Sequence, residues 1–385
     1  MREVYIIGVG MTQFGKHPNR SLRELGCEAC LKAIRDAGIN PKNIEAGYCG
    51  NALAPAIQGE TGVGQNVFWE VGISGIPIVN VENACASGST ALREGWMAVA
   101  GGFYDTVIIA GVEKTVMPKG TMLDVGAAEL ETHLGEVFPG YFAIIAKKHM
   151  ERYGTTREQL AKVSVKNHFN GTLNPYAQFQ KPFSLEEVLN SSMVADPLTL
   201  YSCCPNSDGA AVVILSSREK TRKLDVRPVK IAASVLTTGA YDNQRDITGW
   251  EVEKRAADEA YRMASIGPED LNVIELHDAF TICEIIHYED LDLCRTGEGG
   301  RLIDEGATEL GGKIPVNPSG GLLSKGHPVG ASGVAQAVEI VWHLRGQAGK
   351  RQVENARIGL AQIMGGNKEG DTRACTVHIF TNDYR

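Results

Sequence analysis

The feature that most constrains the fold is that the chain aligns with itself. "AIRDAGINPKNIEAGYCGNA" (Ala33–Ala52) lies over "AYRMASIGPEDLNVIELHDA" (Ala260–Ala279) without a gap, with identities at Ala33/Ala260, Arg35/Arg262, Ala37/Ala264, Ile39/Ile266, Pro41/Pro268 and Ala52/Ala279. Each copy reads helix, Pro-containing turn, strand. A second match follows in the same order: "ASGS" (Ala86–Ser89) and "ASGV" (Ala331–Val334) each open a helix rich in small residues. Chance similarity between two helix–turn–strand units is the competing explanation, and the ordered second match weakens it. Strand-like runs such as "VYIIGVG", "TVIIAGVE", "VKIAASVL" and "RIGLAQIMGG" alternate with helical patterns through both halves. The expectation is an α/β protein built from two similar halves.

Between the halves, from about Gly120 to Asp196, the chain turns polar, with short helical pieces and "NHFNGTLNPYAQFQKPFS". This reads as an insertion over one face, where substrate-binding loops usually sit. The expected division is a first half over 1–119, a loop domain over 120–196, a return to the first half over 197–225 and a second half over 226–385.

Charge and cysteine usage narrow the function classes. A net charge of −8 argues against a general nucleic-acid binder, whose domain would carry a basic footprint, but not against an anionic small ligand. The N-terminus "MREVYIIGVGMTQFG" reads as a buried strand rather than a signal peptide, and no apolar run reaches membrane-spanning length. Nine scattered cysteines, an odd number, fit free thiols in a cytoplasmic protein. Cys27 and Cys30 form one C-x-x-C inside a helical pattern, with no second pair to complete a zinc site, so no metal is expected.

Four segments could carry chemistry. In "NVENACASGSTALREG", Cys85 precedes a helix, where unpaired N–H groups and the dipole favour thiolate; a small buried hydrophobe is the other reading. In "GGLLSKGHPVGASG", His327 sits on a Gly-rich turn, placed either to take a proton from a thiol or simply at the surface. In "ELHDAF", His277 ends an apolar strand, where α/β proteins place their sites, or is a satisfied core histidine. In "GLAQIMGGN", Gly365 and Gly366 offer backbone N–H groups to an oxyanion. The adjacent Cys203 and Cys204 read as structural.

These residues, in this order, resemble the thiolase superfamily across essentially the whole chain. "ENACASGS" resembles its nucleophile motif and "GHPVGASG" its Gly-His-Pro-x-Gly-Ala motif; "HDAF", "NPYAQFQKPFSLEEVL" and "DPLTLYSCCPNSDGAA" resemble the sterol-carrier-protein-type thiolases. The resemblance implies a five-layered α-β-α-β-α core, a homodimer or dimer of dimers, no permanently bound cofactor, and coenzyme A and acyl-CoA thioesters as substrates. It implies Cys85 as nucleophile, His327 as base and His277 as an oxyanion donor through a water, with the N–H groups of Cys85 and Gly366 forming a second oxyanion hole. Stand-alone relatives often work with a small OB-fold, zinc-ribbon accessory protein.

One departure matters. Where thiolases usually carry a second cysteine, as acid/base, in Cys-x-Gly-Gly-Gly or His-Asp-Cys-Phe, this chain has Ile363 and Ala279. Cys283, one helical turn past Ala279, is a candidate replacement; His277, His327 and water are the others. The missing thiol favours cleavage of a bulky or branched 3-oxoacyl-CoA over condensation of two acetyl-CoA; an aromatic substrate such as benzoylsuccinyl-CoA, which nothing in the sequence selects, and acetoacetyl-CoA are further candidates. Rival readings are a decarboxylating condensing enzyme, a retro-aldolase of the same superfamily, and a non-catalytic CoA-binding scaffold.

Overall fold

Local chemistry sets the ends of the elements before packing selects their neighbours. The computed structural model describes residues 1–115, 130–240, 246–367 and 371–382. In chain order the elements that position the site are β1 (Val4–Met11), α1 (Leu22–Ala37), β2 (Ala46–Gly50), β3 (Ile78–Val81), α2 (Ser87–Ala100), β4 (Thr106–Lys114), α3 (Phe138–Tyr153) and α4 (Arg157–Thr172). They continue with β5 (Asp208–Ser217), β6 (Val229–Thr237), α5 (Glu251–Ala264), β7 (Val273–Glu275), α6 (Thr281–Asp290), α7 (Val329–Arg345), β8 (Ile358–Gly365) and β9 (Ala374–Thr381). The expected boundary near residue 120 lies outside the described residues.

Helix α1 begins at a capping box: the Ser21 hydroxyl accepts the Glu24 N–H, and the Glu24 carboxylate accepts the Ser21 N–H. It ends at Gly38 in the left-handed region, φ 61°. At the aligned position after α5, Ser265 adopts φ 57°. The duplication therefore preserves the backbone conformation even where the sequence has replaced the glycine. Cys27 and Cys30 lie on α1, Cys30 buried and Cys27 half-buried.

Met193–Ala195 pairs with Leu198–Thr199 in a separate two-stranded sheet, and the nine strands β1–β9 form one sheet, in the order β3-β2-β4-β5-β1-β6-β9-β8-β7. The two sides mirror each other. β2 runs parallel to β4, and β7 parallel to β8. β4–β5 and β5–β1 are antiparallel, and so are β8–β9 and β9–β6. The counterpart of β3 is a single parallel bridge, Ile274–Val316. The half-sheets join at a narrow seam where β1 pairs with β6 through Tyr5–Lys230 and Ile6–Val229.

Apolar burial then stacks the layers. Leu25, Ala29 and Ala33 of α1 pack on Ile7, Ile108 and Val212. Ala256, Ala257 and Ala260 of α5 pack on Ala233, Val377 and Ile379 of the other half. Between the half-sheets, Leu92 of α2 and Val334, Val338 and Val341 of α7 meet Val107, Ile109, Ala361 and Phe380. Each fully buried Val, Leu, Ile or Phe among them is worth about 1.5–3 kcal/mol, and the alanines less. The result is the expected layering, with α2 and α7 sandwiched at the centre.

Those central helices approach backbone to backbone. A Cβ at Gly88 would lie 2.4 Å from the Gly330 carbonyl oxygen, and a Cβ at Gly333 would lie 2.5 Å from the Ser89 Cβ. Neither neighbour is the flexible end of a side chain, so an added methyl must push the helices apart. Gly88→Ala is therefore expected to cost about 1–3 kcal/mol of stability, the usual penalty of overpacking. It is also expected to slow modification of Cys85 by thiol reagents and acyl donors; thermal unfolding and adduct formation followed by mass spectrometry check both.

Candidate active site

The crossing of α2 and α7 brings their leading turns together. Cys85 occupies the turn Ala84–Ala86 directly ahead of α2. That turn is held by Ser87, whose hydroxyl donates to the Ala84 carbonyl (2.6 Å) and accepts the Asn83 N–H (2.9 Å). Ala84 itself adopts φ +48°, a left-handed conformation unusual for a residue with a side chain. The end of β8 closes over the turn at Gly365, where a Cβ would lie 2.0 Å from the Asn83 carbonyl oxygen. This approach lets the Gly366 N–H, as well as the N–H of Cys85 itself, reach the Cys85 sulfur.

His327 sits on the turn ahead of α7. Its N–H donates to Ser207 Oγ at 3.0 Å. Ser332 donates its hydroxyl to the Pro328 carbonyl (3.0 Å) and lies 2.8 Å from His327 Nδ1, so it accepts the Nδ1 proton. That hydrogen bond assigns the tautomer: Nδ1 carries the proton and Nε2 keeps its lone pair. Nε2 is buried and has no partner among the described residues. His277 is held by its backbone, its N–H donating to Gln362 Oε1 (3.0 Å) and its carbonyl accepting from His287 Nε2 (3.0 Å). Both ring nitrogens of His277 are buried without a partner among the described residues. The His277 and His327 rings stand 5.5 Å apart, nearly edge to face.

The Cys85 sulfur and ligand nitrogens of His277 and His327 all lie within 4.8 Å of one another. They share a cavity of about 300 Å³ with Gly366, Ala279 and Asn206. Phe138, Phe142, Val194, Leu200, Phe280 and Met364 line it with apolar surface, and the Phe142 and Phe280 rings stack at 4.5 Å. A second hollow of about 230 Å³ shares Cys85, Phe138, Val329 and Gly366 with the first and has Glu82 and Arg373 on its wall.

Electrostatics correct one expectation. Burial pushes the Cys85 thiol up to about 12, outweighing the downward pull of the Gly366 and Cys85 N–H groups; Glu113 and Glu82 raise it further. Burial lowers His327 to about 4. It carries His277 well below the usual histidine range, helped by repulsion from His327 and His287. The resting site is thus a neutral thiol beside two neutral imidazoles, not a preformed thiolate.

The cysteines also divide differently from expectation. Cys283, on α6, is fully buried in the apolar core of the second half and does not line either hollow. Cys203 and Cys204, read from sequence as structural, both contribute to the wall of the larger cavity. Asn206 lines the same cavity and Ser332 orients His327, two roles beyond the candidates named from sequence. Ser332 lies inside the quoted "GHPVGASG", one helical turn beyond Pro328, so helical spacing alone pointed to it. Nothing in the sequence brings the 203–206 segment to the site.

Two duplicated α/β halves whose central helices bring a thiol from one against an imidazole from the other define the thiolase-fold class. Two family models match the chain: "Thiolase, N-terminal domain" over residues 4–219 and "Thiolase C-terminal domain-like" over residues 233–377. The chain belongs to the thiolase family. It is 47% identical over 386 residues to the "Acetyl-CoA acetyltransferase" of Methanothermobacter thermautotrophicus, covering 99% of this chain and 100% of that one. It is 41% identical over 372 residues to the "Benzoylsuccinyl-CoA thiolase subunit BbsB" of Thauera aromatica, covering 95% of each. To "Sterol carrier protein 2" of Bos taurus it is 41% identical over 383 residues, covering 94% of this chain and 70% of that protein. By this kinship it is an enzyme of the acyltransferase class.

Solved structures agree on the fold. A structure described as "Ltp2-ChsH2(DUF35) aldolase" matches with a TM-score of 0.85 and 26% identity, covering 100% of this chain and 99% of that one. Human mitochondrial 3-ketoacyl-CoA thiolase matches with a TM-score of 0.73 at 16% identity, again over 100% and 99%. Among the described residues no helix is long and apolar enough to cross a membrane.

The His327 tautomer and its depressed pKa give a testable pair. Ser332→Ala should lower kcat/KM by about 10-fold or more, part of the ~10²–10⁴-fold that a positioned general base supplies. In the unaltered protein Nε2 stays unprotonated until the pH nears about 4. The acid limb of kcat/KM should therefore be displaced to well below the ordinary histidine range near 6.5. A pH–rate profile reads both.

Proposed function

We propose that this chain cleaves and forms 3-oxoacyl-CoA thioesters through an acyl group carried on Cys85. The observation that carries the reading is the convergence of the Cys85 sulfur with the unpartnered ring nitrogens of His277 and His327 in one cavity. Because the thiol rests protonated, attack and proton loss go together: His327 Nε2 takes the Cys85 proton as sulfur bonds to the 3-oxo carbon. His277, through a water, and the imidazolium formed on His327 stabilise the oxyanion. The C2–C3 bond breaks, leaving acyl-Cys85 and the enolate of the shortened acyl-CoA. The acyl carbonyl oxygen faces the N–H groups of Cys85 and Gly366. Coenzyme A then removes the acyl group; it is a substrate rather than a resident cofactor.

The apolar wall of Phe138, Phe142, Leu200, Phe280 and Met364 supports an acyl group larger than acetyl, in line with the bulky or branched substrates expected from the sequence. Full-length kinship to a protein named acetyl-CoA acetyltransferase supports acetoacetyl-CoA at the small end. Residues 130–196, which carry α3 and α4, serve within the loop domain over the entrance. The DUF35 component in the neighbouring aldolase's description supports a small accessory partner, of the OB-fold zinc-ribbon kind expected above. A homodimer or dimer of dimers in the cytoplasm completes the proposal.

That same neighbour keeps a retro-aldolase as the second reading. The two part at the thiol: an aldolase has no need to hold substrate as a thioester on Cys85. Incubation with a 3-oxoacyl-CoA should give an acyl adduct on Cys85 by peptide mass spectrometry, discharged by added coenzyme A and absent from Cys85→Ala. No adduct from any member of a panel running from acetoacetyl-CoA to aromatic thioesters would sink the acyltransferase mechanism.

A further inference from the structure

Breaking the C2–C3 bond leaves a carbanion that needs a proton, and the proton must come from a group on the cavity wall. His327 is committed to the proton it took from Cys85, His277 and its water to the oxyanion, and Cys283 lies in the core. Two thiols on the cavity wall remain, Cys203 and Cys204. Cys203 Sγ is turned away, donating to the Thr199 carbonyl at 3.4 Å. Cys204 lines the same cavity as Cys85, His277 and His327, and its Sγ has no hydrogen-bond partner among the described residues.

The backbone fixes Cys204 between the two histidine-bearing segments. Its N–H donates to the Ala279 carbonyl at 2.9 Å, and Cys203 forms an antiparallel bridge with Phe280, just past His277. Two residues on, Asn206 forms a parallel bridge with His327. The strap Cys203–Ser207 is thus stitched to the His277 segment at one end and to the His327 turn at the other. Ala279, with only a methyl group, leaves the facing wall open.

From this placement we infer that Cys204 is the second acid/base of the reaction, donating the proton that quenches the enolate. The inference rests on the acyltransferase reading above. The Cys204 S–H bond breaks as a C–H bond forms at C2, releasing the shortened acyl-CoA and leaving a thiolate on Cys204. That thiolate takes the thiol proton of incoming coenzyme A, whose sulfur attacks acyl-Cys85. Cys85 leaves as thiolate and recovers its proton from His327. Both cysteines and the imidazole return to their starting states, and no outside oxidant or reductant is used. In the condensing direction the same thiolate removes the C2 proton of the acyl-CoA.

Burial raises Cys204 well above the ordinary thiol range, with repulsion from Cys203, Cys85, Asp278 and Cys283 adding to it. It is therefore protonated and ready to donate when the enolate forms.

The test separates the two half-reactions in the full-length protein. Acyl-Cys85 formation is read by mass spectrometry. Enolate chemistry is read by deuterium wash-in at C2 of acetyl-CoA in D₂O and by the rate of acetoacetyl-CoA thiolysis. Cys204→Ala and Cys204→Ser should both still form acyl-Cys85, while wash-in and thiolysis fall about 100-fold or more. The near-isosteric Ser variant decides the matter where Ala disturbs folding. Wash-in within about threefold of the unaltered protein, in a variant that still forms the adduct, would overturn the assignment. So would the same loss appearing in Cys203→Ala instead. Failure of the unaltered protein to form any adduct would instead sink the underlying acyltransferase reading.

Discussion

The close packing of α2 against α7 is the contact on which the site depends. Helix axes ordinarily stand about 8–10 Å apart because side chains fill the space between them. Here Gly88 meets the Gly330 carbonyl, and Gly333 meets Ser89, with no side chain to hold the backbones apart. The same economy extends outward. A Cβ at Gly111 of β4 would lie 2.5 Å from the Gly330 oxygen, and one at Gly50 of β2 would lie 2.5 Å from Gly88. Glu113, at the end of β4, completes the anchorage by accepting the Gly330 N–H (3.1 Å) together with the Ala52 N–H (2.8 Å) and the Asn51 amide (2.7 Å). A carboxylate at the start of α7 satisfies an N–H that no helical carbonyl can reach. Thiol and imidazole meet because two helix starts are pinned to one another and to the first half-sheet.

That close packing also decides the electrostatics. A cysteine ahead of a helix invites the expectation of a thiolate, because the N–H groups and the dipole both favour the anion. The packing that brings Cys85 to the helix start also strips water from it, and loss of hydration is the larger effect. The histidines respond in the opposite chemical direction for the same reason, becoming weak bases that rest neutral. A site built from neutral partners generates charge only when substrate supplies an electrophile. A free thiolate would react readily with stray oxidants and alkylators; a neutral thiol beside a lone pair is activated where an acyl carbon arrives.

The sequence disclosed whatever had local or repeating character. The gap-free match of Ala33–Ala52 to Ala260–Ala279 anticipated the equivalence of α1 with α5 and of β2 with β7, because helix, turn and strand are each written in short-range patterns. Cys85, His327 and His277 stood out because each sits at the end of an element, among glycines or after an apolar run. What stayed hidden is what long-range packing creates. The seam joining the half-sheets uses two residue pairs of β1 and β6, which leave no periodic trace. Cys204 and Asn206 reach the cavity only because a strap far from either histidine in sequence bridges to Phe280 on one side and His327 on the other. Cys283 had the better sequence position, one turn past Ala279, yet helical geometry turned it into the core.

The duplication explains why the site is asymmetric. In the match of "ASGS" to "ASGV", the position of Cys85 falls on Gly330, and that of His327 falls on Glu82. Both halves offer a small-residue turn ahead of a central helix, but only one of the two turns carries a thiol. Gly330 has no room for one: its Cβ would lie 2.8 Å from the Asn51 Cα and 3.0 Å from the Glu113 carboxylate, and its carbonyl already meets Gly88. Glu82 in turn accepts the Ala84 N–H at 2.7 Å and steadies the turn that presents Cys85. One copy has given up its side chain so that the helices touch, while the other supplies the sulfur at the point of contact. Neither half holds a site alone, and the reacting groups lie where the two copies stop being alike.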